Sequence, residues 1–121
     1  MSQESTIRTK SKAFAIRIVK MSRHLQEERH EYVLSRQVLR SGTSIGSNVR
    51  ESKNAQSTAD FISKLEIALK ESDETEYWLE ILYETNYINK EEFDSMVAEN
   101  KELTAMLTSI IKTTKTNNNK H

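Results

Sequence analysis

The chain has 121 residues, with 18 Lys/Arg against 18 Asp/Glu, two glycines, and no proline or cysteine. That length suits one domain with a real core. The lack of cysteine excludes disulfides, thiolate zinc sites and a cysteine nucleophile, and a sheet-rich chain would need turn residues in several places.

The polar start, residues 1–7, reads as a flexible leader. A first helix is predicted from about Arg8 to Gln26, because Phe14, Ile18, Met21 and Leu25 form one stripe at helical spacing. The charged stretch Glu27-Glu28-Arg29-His30 reads as a solvated connection, short enough to force an antiparallel neighbour. A second helix, about Glu31 to Ala55, buries Leu34, Val38, Ile45 and Val49. Gly42 and Gly46 lie four apart on that helix, and each costs about 1 kcal/mol relative to alanine in a helix interior. Close approach of a neighbouring helix would offset that cost, and a break or kink is the alternative.

Ser57 is placed to cap a third helix running to about Thr85, with Asp60 in its positive first turn. Phe61, Leu65, Ala68, Ser72, Thr75, Leu79 and Leu82 alternate four and three apart along it, a heptad-like seam. Asn89 and Glu92 form a capping-box pattern that starts a fourth helix through about Lys112. Its seam is Phe93, Val97, Asn100, Leu103, Leu107 and Ile110/Ile111. Residues 113–121 are polar and read as a disordered tail. The expected fold is all-α, an antiparallel up-down-up-down four-helix bundle over residues 8–112. With no signal peptide pattern and no apolar run of membrane-spanning length, the expectation is a cytoplasmic protein with no membrane partner.

Charge is segregated. Residues 1–55 hold 11 Lys/Arg against five acids, a net +6, and the remainder is net −6. The positive half can serve an anionic partner, or it can serve the acidic half of another subunit. Apolar residues also occur away from the seams, at Ile16 and Val19 on the first helix and at Ile67, Trp78 and Ile81 on the third. These second faces predict an oligomer interface.

Two motifs suggest chemistry and fail on context. Gly42-Thr-Ser44-Ile-Gly46 spells a nucleophile elbow, but no strand precedes it, His24 and His30 lie upstream, and the only later histidine is the C-terminal residue. Glu27-x-x-His30 matches half of a di-iron ligand pair, where a site needs two such pairs and two more glutamates. No enzyme activity, metal or cofactor is expected. The polar stripe of Arg36, Arg40, Thr43, Ser47, Arg50 and Asn54 has two readings. One is ion pairing to Glu71, Glu74 or Glu76 of the third helix; the other is phosphate contact through Arg36, Arg40 and Arg50. Aromatics for base stacking do not interleave it.

The block Arg40-Ser-Gly-Thr-Ser-Ile-Gly-Ser-Asn-Val-Arg-Glu51, with Asp60-Phe-Ile-Ser-Lys-Leu-Glu-Ile-Ala-Leu-Lys-Glu-Ser72 and Glu74-Thr-Glu-Tyr-Trp-Leu79, resembles a known family. These are the four-helix bundle proteins encoded in intervening sequences of bacterial large-subunit ribosomal RNA genes. The accessory variability proteins of diversity-generating retroelements are similar to the same family. The resemblance spans about Lys12 to Lys112. It implies an up-down-up-down bundle assembled as a closed ring, a homopentamer, with RNA or DNA as partner, and a reverse transcriptase only where one is encoded nearby. The family block falls on Arg40, Ser44, Ile45, Gly46, Asn48 and Glu51, and Gly42, Ser44, Gly46, Asn48 and Glu51 are read as a helix-packing block. The chain departs from the family pattern at Arg50, where a small residue is common, and at Ser52, where glycine is. It is also neutral where the family's nucleic-acid binders are basic, so binding would need its cations concentrated on one face.

Overall fold

The computed structural model describes residues 2–119; Met1, Lys120 and His121, the ends of the expected leader and tail, lie outside the described residues. Four helices follow one another: α1 (Gln3–Glu27), α2 (Leu34–Ser52), α3 (Thr58–Glu84) and α4 (Lys90–Asn119). Each packs on its chain neighbours and α1 closes on α4, so α1 faces α3, and α2 faces α4, diagonally across the core. This is the expected all-α, up-down-up-down bundle.

Most seam positions are buried as their spacing requires, while Met21, Leu34, Phe61, Phe93 and Val97 are only partly buried and Met96 is buried beside Val97. Phe14, Ile18 and Leu25 of α1, Val38, Ile45 and Val49 of α2, Leu65, Leu79 and Leu82 of α3, and Leu103 and Leu107 of α4 meet in one core. Two helices are longer than expected. Ser2 caps α1 by accepting from the Ser5 amide (3.0 Å), and Ile7 is buried, so residues 3–7 extend the bundle instead of forming a leader. At the far end α4 continues seven residues past Lys112. There the Thr114 hydroxyl donates to the Ile110 carbonyl (2.7 Å) and Lys115 reaches Glu66 of α3 (3.6 Å), so a polar sequence still holds helix. Polarity alone did not separate a solvated helix turn from a tail.

α2 is shorter than expected at both ends, and at its start Glu31 stands before it as a cap. Its carboxylate accepts from the amides of Val33 (3.2 Å), Leu34 (3.0 Å) and Ser35 (2.7 Å), satisfying donors that a helix start leaves free. The connection ahead of it is not merely solvated. Arg29 donates to the carbonyls of Tyr87 (3.0 Å) and Asn86 (3.2 Å) and lies over the Tyr87 ring (5.0 Å), tying the α1–α2 turn to the α3–α4 turn. Those turns contain His30 and Asn86 at positive φ. The other caps match expectation: Ser57 accepts from the Asp60 amide (3.0 Å), and Asn89 with Glu92 forms the reciprocal box (2.8 and 3.3 Å).

Buried polar pairs join adjacent helices. The Ser72 hydroxyl donates to Asn100 Oδ1 (2.9 Å), and Asn100 Nδ2 donates to the Ser72 carbonyl (2.8 Å), between α3 and α4. Thr75 donates to Ser41 (2.9 Å) between α3 and α2, and Ser22 donates to the Ser35 carbonyl (3.1 Å) between α1 and α2. A shift of one helix along another would leave these groups without partners, at about 1–3 kcal/mol each. They therefore set the register that the apolar seam leaves open.

α2 is continuous through both glycines, so the helix does not break there. A Cβ on Gly42 would sit 2.8 Å from Ile18 Cγ1, and one on Gly46 would sit 3.3 Å from the Ser11 carbonyl oxygen. The glycines let α1 approach closely, as their spacing suggested.

Candidate nucleic-acid interface

The charge asymmetry of the sequence becomes a spatial one. α1 and α2 are neighbours and carry the excess of cations, while α3 and α4 carry the excess of acids. Ion pairs cross between the two layers: Lys10 to Glu102, Arg17 to Glu99, Arg40 to Glu71 (3.2 Å) and Glu74 (2.5 Å), and Lys64 to Glu51 (3.8 Å). Seven cations of α1, α2 and the residue after it have no acidic partner among the described residues: Arg8, Lys12, Lys20, Arg23, Arg36, Arg50 and Lys53.

The three arginines proposed for phosphate contact therefore differ. Arg40 bridges Glu71 and Glu74, the ion-pair reading of the stripe, and its hydrogen bond holds the Glu74 carboxyl below the usual glutamate range. Trp78 Nε1 also donates to Glu74 (3.3 Å). Arg36 and Arg50 are exposed and unpaired. Sequence spacing grouped the three because they share a stripe; only the facing helix separates them.

Four of the unpaired cations line a groove of about 480 Å³ between α1 and α2: Arg8 and Lys12 on one wall, Arg50 and Lys53 on the other. Ala15 and Gly46 lie on it as well, so the small residues that let the helices approach also shape this recess. Arg8, Lys12 and Lys53 were not singled out from the sequence. They belong to separate segments whose meeting depends on the register of α1 against α2.

The remaining helix-packing residues have structural partners. Ser44 donates to the Arg40 carbonyl (2.6 Å), Asn48 donates to the Ser44 carbonyl (2.8 Å), and Glu51 pairs with Lys64. Ser44 is thus inside a regular helix turn, without the strained elbow that a hydrolase nucleophile requires. Glu27 and His30 are exposed. Among the described residues no group of three His, Asp or Glu side chains is placed to hold a metal ion, and no helix is long and apolar enough to cross a membrane.

The expected oligomer surface is placed in part. Ile16 (48% exposed), Val19 and Ile67 lie at the surface. Trp78 does not stand free: it leans onto the core, its N–H is bonded to Glu74, and Ile81 beside it is half-buried. Tyr77, in edge-to-face contact with Trp78, is the exposed aromatic of α3 instead. The two apolar patches differ in charge. Lys12, Ile16, Val19 and Arg23 share one face of α1, whereas Glu66, Lys70, Asp73, Tyr77, Glu80 and Glu84 recur four and three apart on α3, four acids to one lysine.

No curated protein matches the chain. Among solved structures, it is similar to a protein with unknown function from the S23 ribosomal protein family of Bacteroides thetaiotaomicron VPI-5482. The two are 51% identical, the match covers 92% of this chain and 99% of that one, and the TM-score is 0.91. The model of the 23S rRNA-intervening sequence protein family matches residues 3–109, the four helices described above almost end to end, and the chain belongs to that family.

Proposed function

We propose that this protein is a non-enzymatic, nucleic-acid-associated assembly protein whose α1–α2 side contacts the phosphates of RNA or DNA. The observation that carries this reading is the set of seven cations on one side of the bundle without acidic partners, in a chain of zero net charge. Phosphate binding releases condensed counterions in proportion to the cations engaged, so a concentrated face can bind where a neutral average cannot. Aromatic side chains for base stacking are missing from the groove, which favours backbone contact over base reading.

A second reading is compatible with the first and has its own support. The cationic apolar patch of Ile16 and Val19 on α1 and the exposed Ile67 and Tyr77 of the net-acidic α3 lie on diagonal helices of one subunit. Docking one patch on the other joins copies head to tail, which closes into a ring when the rotation permits. The homopentamer implied by the family resemblance would be such a ring. Arg8, Arg50 and Lys53, at the start of α1 and the end of α2, would remain for nucleic acid, with Lys12 at the border of the two surfaces.

Gel shifts of the full chain on mixed-sequence RNA and DNA at low salt test the first reading. Arg36→Ala/Arg50→Ala is expected to weaken binding about tenfold or more without changing sedimentation, while Arg40→Ala, which breaks an internal ion pair, leaves binding within a few-fold. No binding by the parent, or equal loss with all three arginines, contradicts it.

A further inference from the structure

The groove between α1 and α2 carries a second chemical feature besides charge. Thr9, Thr43 and Ser47 line it together with the four cations. Each hydroxyl lies within hydrogen-bond distance of a helix carbonyl to which it can donate: Thr9 to Ser5 (3.2 Å), Thr43 to Leu39 (2.6 Å) and Ser47 to Ser44 (3.2 Å). With those bonds made, what the oxygens offer a ligand is acceptor capacity. The lining thus combines cations that take phosphate oxygens with hydroxyl oxygens that take a donor.

A deoxyribose backbone has no hydroxyl donor to supply, since its phosphates and ring oxygens only accept. A ribose 2′-OH is a donor within reach of its own phosphates, and it distinguishes RNA from DNA at a protein site. Resting on the nucleic-acid reading above, we propose that this groove is an RNA-backbone subsite. Arg8, Lys12, Arg50 and Lys53 engage phosphates, and Thr43 and Ser47 accept hydrogen bonds from ribose hydroxyls.

The test uses the full chain and three probes of one sequence: RNA, DNA and 2′-O-methyl RNA, compared at one salt concentration. The parent is expected to bind RNA about two- to tenfold tighter than either of the others, the range of a net hydrogen bond or two. Thr43→Val/Ser47→Ala should remove that preference while leaving DNA affinity unchanged. Lys12→Gln/Arg50→Gln should weaken all three probes together, by about tenfold or more. Circular dichroism melts confirm that each variant is folded. Equal parent affinity for RNA and DNA overturns the subsite and leaves the nucleic-acid reading standing. So does normal binding by the Lys12/Arg50 variant. Absence of binding to any probe removes the reading itself, and the subsite with it.

Discussion

Gly42→Leu is expected to destabilise the protein by about 3 kcal/mol or more, at the upper end for overpacking a core. The first atom of any side chain at this position would already lie 2.8 Å from Ile18 Cγ1, 2.9 Å from Cγ2 and 3.0 Å from Cδ1. Ile18 is fully buried and β-branched, so in a helix it has essentially one rotamer and cannot swing aside. α1 would have to move away from α2, breaking the Ser22 to Ser35 bond that sets their register. Gly42→Ala should cost less, because alanine's better helix propensity, about 1 kcal/mol, offsets part of the clash. Denaturant unfolding gives these values, and adding Ile18→Ala to Gly42→Leu should restore part of the loss as a measurable coupling. A Gly42→Leu protein as stable as the parent would show that the helices are not held in close approach here.

The second large effect concerns assembly. Ile16→Asp and Ile67→Asp, each at an exposed position, should leave the helical fold intact and each give monomers by sedimentation, while the parent is expected to sediment as an oligomer. Burying an isoleucine is worth about 1.5–3 kcal/mol relative to exposure. Replacing it by a charge adds desolvation, so the dissociation constant should rise at least about a hundredfold. Head-to-tail docking makes a sharper forecast for a mixture of the two variants. The first keeps an intact α3 patch and the second an intact α1 patch, so they should form one-to-one dimers and stop there. A self-complementary interface would behave otherwise, since one variant alone would still dimerise.

Much of this architecture was legible in the residues. The stripes through Phe14, Val38, Leu65 and Leu103 are buried as their spacing implies, and the caps at Ser57 and Asn89 form as their side chains permit. What was not legible depends on partners across a helix pair. Nothing in the spacing of Arg36, Arg40 and Arg50 says that Glu71 and Glu74 meet only the middle one. Trp78 sits off the seam by angle, yet its length lets it reach the core and leaves Tyr77 outside. Glu31 and Arg29 looked like parts of a charged connection, and their roles come from backbone groups that face them only after the chain turns. The groove is the same kind of case. Its walls come from Arg8 and Lys12 on one helix and from Arg50 and Lys53 some forty residues later, so the register of α1 on α2 assembles it.

The central claim is that the unpaired cations of α1 and α2 are there for phosphate. The affinity of the full chain for a mixed-sequence RNA, measured across salt concentrations, tests it most directly. With the four groove cations engaged, the slope of log K against log salt should be about −3 to −4, and it should flatten by about 1 for each groove cation replaced by glutamine. A flat slope, or no binding at the lowest salt, would contradict it and leave those cations to the acidic side of a neighbouring copy.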